Sequence, residues 1–158
     1  MGQMKPVQWL AILLLLISCS QPVDLLNVAP SVTGIGPVIS ENDNSVSIVF
    51  WVRDHEENAV DVFFELVQGE TVTAIDVYGG HGDIGLTTSN DATGRAHVVL
   101  WEYNTEDPTA SNYVDPTASI QLRVQAQDDY GARGPVLETD PFTLDDGLPP
   151  LDNGLPPL

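Results

Sequence analysis

Residues Ser45 to Arg53 read SVSIVFWVR, and their alternation decides the fold. Val46, Ile48, Phe50 and Val52 share one side of an extended chain, while Ser47, Val49, Trp51 and Arg53 share the other. Successive side chains of a strand point to opposite faces, so this period of two in β-branched and aromatic residues predicts a strand. After an acidic turn, Asp54-His55-Glu56-Glu57-Asn58, the alternation resumes. Val60, Val62, Phe64 and Leu66 point inward; Asp61, Phe63 and Glu65 point outward. Ser119 to Gln127 (SIQLRVQAQ) repeats the pattern, with Ile120, Leu122, Val124 and Ala126 as its inner set.

The weaker segments fit around these three. Val32 to Ile39 (VTGIGPVI), broken by Gly and Pro, reads as an edge-like strand. Thr71 to Tyr78 reads as one strand, Ile84 to Thr88 as a short one, and a last strand falls near Val136 to Leu144. Arg95 to Tyr103 (RAHVVLWEY) is apolar on both faces from Val98 to Trp101, as a central strand would be. Asn104 to Thr117 carries Asp107-Pro108 and Asp115-Pro116, which favour turns. No helical period of 3.6 is sustained after the opening residues. Short strands with turn signals roughly every 8–12 residues predict an all-β sandwich.

The run SVSIVFWVRDHEENAVDVFFEL, then HVVLWEY, then SIQLRVQAQDDYGARG and PFTLDDG, resembles the immunoglobulin-like, or fibronectin type III-like, modules of bacterial surface and secreted proteins. Their corner V-x-D-x-E-x-x-x-V is matched by Val52, Asp54, Glu56 and Val60. A mid-strand Trp is matched by Trp101, and L-R-V-x-A-x-D by Leu122, Arg123, Val124, Ala126 and Asp128. The resemblance implies a single immunoglobulin-like antiparallel β-sandwich of seven or eight strands over residues 31–144, without the paired core cysteines of antibody domains. It says little about function, because this architecture hosts adhesins, spacers, carbohydrate binders and enzyme accessories alike.

The flanks supply an address. Residues 1–20, MGQMKPVQWLAILLLLISCS, place Lys5 before an apolar run from Trp9 to Ile17. A run of about nine residues is too short for a bilayer core that needs about twenty, so the stretch reads as an export signal over residues 1–18. Leu16-Ile17-Ser18-Cys19 resembles the lipobox of bacterial lipoproteins. That resemblance implies a diacylglyceryl group on the Cys19 thiol, cleavage before it, and anchoring to the cell envelope. Ser20 after the cysteine implies the outer membrane if the cell is Gram-negative. Two or three acyl chains, at about 0.8 kcal/mol per buried methylene, would make the anchor effectively permanent.

Cys19 is the only cysteine, so no intramolecular disulfide can form. Residues 19–30 read as a lipidated tether. Residues 145–158 write one heptad twice, DDGLPPL and DNGLPPL, a Pro/Gly-rich tail with no capacity for a core.

Five Lys and Arg stand against 23 Asp and Glu, a formal charge of −18. Signal removal takes away Lys5 and no acid. Such a surface repels nucleic acid and anionic headgroups, and suits divalent cations, a basic partner or a saline habitat. No G-x-S-x-G, H-E-x-x-H, C-x-x-C or P-loop motif is present, so the expectation is a protein that is not an enzyme. His55, His81 and His97 are scattered over different predicted elements and read as surface or packing residues.

Two candidate sites remain. Loops at one end of an immunoglobulin-like sandwich would gather Asp54, Glu56, Glu57, Asp91, Asp128 and Asp129. Asp54, Glu56 and Asp128 are the expected ligands if Ca²⁺ neutralises this pole; solvated loop acids are the competing reading. Trp51 and Phe63, on the outward phase of their strands, are the expected contacts for a glycan or protein partner; covered positions are the alternative.

Overall fold

The computed structural model describes residues 26–42 and 44–144; the signal, Cys19 and the repeated tail lie outside the described residues. Eight strands form in chain order: β1 Ser31–Asn42, β2 Ser45–Arg53, β3 Val60–Gln68, β4 Thr71–Ala74, β5 Val77–Tyr78, β6 Arg95–Glu102, β7 Ile120–Asp128 and β8 Leu137–Glu138. They build two antiparallel four-stranded sheets, in orders β1-β2-β6-β5 and β4-β3-β7-β8. In immunoglobulin lettering these are A-B-E-D and C′-C-F-G, so the fold is the sandwich expected from the alternation.

The inward phases of β2, β3 and β7 meet between the sheets. Ile48, Phe50, Val52, Val60, Leu122 and Val124 are all fully buried there. Phe50 and Phe64, from opposite sheets, pack edge to face with centroids 5.2 Å apart. Trp101 of β6 is 1% exposed and closes the same core.

The structure revises several sequence expectations. β1 runs for 12 residues, longer than its Gly and Pro content suggests, and register shifts at Val32/Gly34 and Ile35/Val38 absorb the irregularity. Thr71 to Tyr78 is two strands: the chain leaves one sheet after Ala74 and joins the other at Val77. Ile84 to Thr88 makes only isolated bridges, Leu86 to Val60 and Ser89 to Arg53 closing that loop. β6 alternates in burial, with His97, Val99 and Trp101 inward. The last strand shrinks to Leu137–Glu138 plus a bridge from Phe142 to Ile120.

Candidate functional site

The loop pole forms as the topology requires. The end of β2 pairs with Ser89, the start of β3 pairs with Asp128, and the Asp54 N–H donates to the Ser89 carbonyl at 3.2 Å. Its two central acids are committed to the backbone. Asp54, 1% exposed, accepts from the N–H groups of Glu56 (3.0 Å) and Asn58 (2.9 Å) through Oδ1. Asp128, 4% exposed, accepts from the N–H groups of Tyr130 and Ala132, both at 2.9 Å, again through Oδ1. The same device ends β2 and β7: a buried aspartate holds the amides two and four residues on, closing the turn.

Between these carboxylates sits a neutral side chain. The Asn27 amide nitrogen donates to Asp128 Oδ2, and its carbonyl accepts from the Asn58 side chain at 3.2 Å. The Val28 N–H donates to Glu56 Oε2 at 3.4 Å. A carboxamide thus bridges where a cation was expected. Among the described residues no three His, Cys, Asp or Glu side chains converge closely enough to hold a metal ion, and Asp54, Glu56 and Asp128 do not form such a group. The second oxygen of Asp54 is buried without a protein partner. Asp54 and Asp128 fasten their own loops, while Glu56 accepts from the Val28 N–H at 3.4 Å.

Trp51 is likewise not a contact residue. It is 8% exposed, because its ring fills a trough over β1 where Gly34 and Gly36 bring no side chains. A methyl group at Gly36 would lie 3.0 Å from that ring. The pairing of Trp51 with Phe63 also fails geometrically. β2 and β3 belong to different sheets, so their outward phases look out from opposite sides of the sandwich.

Phe63 does stand in the open. It is 42% exposed on the outer face of the β3–β7 sheet, and the Arg133 guanidinium lies 4.8 Å above its ring centroid. Arg133 Nε donates to Gln127 Oε1 at 2.8 Å, which fixes the guanidinium over the ring. Beside it Arg123 Nη1 pairs with Glu65 at 3.3 Å, and Arg123 Nε lies 4.0 Å from Glu138, beyond hydrogen-bond reach. Phe63, Arg133, Arg123 and Glu65 line a surface hollow of about 280 Å³ that also takes in Asp76, Asp83 and Val136. Arg123 and Arg133 are two of only four cationic residues after Lys5. Sequence reading found Phe63 but missed Arg133, which lies two residues past the Gly131 turn and reaches back across the sheet.

The histidines do not assemble into a site. His97 is 5% exposed, its Nε2 lies 2.8 Å from the Thr87 carbonyl, and its ring meets His81 edge-on at 5.2 Å. Burial lowers the His97 pKa below the usual imidazole value, so it sits neutral in the core wall. His81 Nδ1 accepts from the Val98 N–H at 3.1 Å, while His55 is exposed on the loop pole.

No protein-family model matches the chain, and no curated protein matches it. Among the described residues no helix is long and apolar enough to cross a membrane.

Proposed function

We propose that the chain is a lipid-anchored protein of the bacterial cell envelope that works as a non-catalytic binding or adhesion module, holding a protein or glycan partner on the outer face of the β3–β7 sheet. The observation that carries this reading is Phe63, left 42% exposed under an immobilised guanidinium in a hollow of about 280 Å³. Aromatic and Arg side chains are enriched at interfaces and among the residues that anchor binding surfaces. The address rests on Lys5, the apolar run and Leu16-Ile17-Ser18-Cys19.

The docked tether adds an orientation. Leu26 to Pro30 runs against the acidic pole, and a Cβ on Gly134 would collide with the Pro30 carbonyl, so linker and sandwich are in close contact. Phe142 meets Ile120 at the opposite end of β7, so the described chain enters at one pole and leaves at the other. Anchored through Cys19, the module would stand with its acidic pole toward the membrane and the Phe63 face looking sideways.

The second reading is a structural or accessory subunit of an envelope assembly. It draws on β4, a four-residue edge strand exposed along its whole length and able to accept a neighbour's strand. Cells producing the whole chain, Cys19→Ser and Phe63→Ala separate these ideas. Release of Cys19→Ser from the membrane fraction supports the anchor. Loss of retention on protein- or polysaccharide-coated surfaces by Phe63→Ala supports the binding face. Fixed-stoichiometry co-purification with envelope proteins that survives Phe63→Ala favours the subunit instead.

A further inference from the structure

We infer that the hollow beside Phe63 takes a neutral saccharide; this rests on the binding-module reading and names its ligand class. The argument starts from charge. The whole chain stands at −18, yet the hollow sets Arg123 and Arg133 against Glu65, Asp76 and Asp83. Arg123 pairs with Glu65 at 3.3 Å through Nη1, its buried Nε making no hydrogen bond, which leaves the Arg133 guanidinium and two carboxylates to face a guest. That balance gives a polyanion no attraction, and it offers a cation only the diffuse pull shared by the rest of the surface.

The remaining chemistry suits vicinal hydroxyls. Asp76 and Asp83 bring two carboxylates to the rim, and a carboxylate is an acceptor for hydroxyl protons. Arg133 commits Nε to Gln127 and keeps its terminal N–H groups for hydroxyl oxygens, in a fork that two neighbouring hydroxyls can meet. A hydroxyl both donates and accepts, and this rim supplies both counterparts. Phe63 and Val136 are 42% and 40% exposed; with one Phe63 face under Arg133, Val136 and the uncovered rim of Phe63 are the apolar surface left for the C–H groups of a sugar.

Size separates this guest from a protein. A stable protein partner covers about 800 Å² per side, whereas a hollow of about 280 Å³ falls at the small end of ligand pockets. One or two rings of a chain would seat in it, with the rest of the polymer running past.

The test is depletion of the purified whole chain, kept in detergent micelles, by cellulose, chitin and mannan as neutral polymers. Polygalacturonate serves as the acidic polymer and gelatin as a protein surface. The native chain, Phe63→Ala and Asp83→Asn are compared, with circular dichroism and melting confirming that each variant is folded. The proposal expects retention on at least one neutral polymer, weakened about tenfold by either substitution, the loss of one well-placed contact. Retention on neutral polymers that both folded variants keep would overturn the site. Retention only on polygalacturonate, or only on gelatin, lost in Phe63→Ala, would overturn the neutral-saccharide class and leave the binding face standing. No retention on any surface by the native chain would overturn both.

Discussion

At the scale of single residues, two aspartates shape the loop pole. Asp54 and Asp128 each tie down two amides while almost fully buried themselves, so removing either leaves part-buried donors unpaired. We expect Asp54→Ala or Asp128→Ala to cost about 2–4 kcal/mol in urea unfolding, and Asp54→Asn clearly less, because the amide oxygen can still accept. His97 gives a pH signature. Its folded pKa lies below 6.5 because burial disfavours the imidazolium. The unfolded chain therefore binds a proton that the folded one refuses. Stability is fully present above pH 6.5 and falls as pH drops from there toward the lowered folded value. Urea midpoints from pH 7.5 to 5 should show that slope, and His97→Gln should flatten it. The sequence announced acids at this pole but could not say whether they faced a cation or their own backbone. Nor was the Asn27 contact with Asp128 legible, since Asn27 lies far from Asp128 in the chain, inside a stretch that reads as mere linker.

Among the elements, strand identity was legible wherever one face alone meets the core. β2 and β3 begin where their alternation begins, and β7 follows its alternator to within a residue, because burying one face fixes the phase. The reading failed where tertiary context overrides pattern. Thr71 to Tyr78 looks continuous, yet its residues serve two sheets, and nothing local marks the crossing at Ile75-Asp76. Trp51 is covered for a related reason. Its outward phase was correct, but the glycines of β1 open a trough that the ring fills. Trp51→Ala should therefore behave as a core truncation and cost about 3–5 kcal/mol, seen as a lower urea midpoint with the secondary structure retained. Gly36→Val should destabilise as well, since its side chain competes with the ring for the same space.

For the whole molecule, residues 27–30 grip the sandwich at one end, and the Phe63–Arg133 pair stands exposed on one side. The grip is testable: Asn27→Ala removes the donor to Asp128 and the acceptor of Asn58, and should cost about 1–3 kcal/mol. The resemblance to immunoglobulin-like modules foresaw the architecture, and the sheet orders A-B-E-D and C′-C-F-G follow it. It could not foresee the contact of Arg133 with Phe63, which meet only once β3, β7 and the final hairpin are assembled. The most direct measurement compares Phe63→Ala and Trp51→Ala side by side, reading retention of chain-displaying cells on coated surfaces together with the urea midpoint. The account predicts that Phe63→Ala loses retention at a nearly unchanged midpoint, while the surviving folded fraction of Trp51→Ala keeps retention at a much lower midpoint. Full retention by Phe63→Ala, or loss of retention by folded Trp51→Ala without loss of stability, would contradict it.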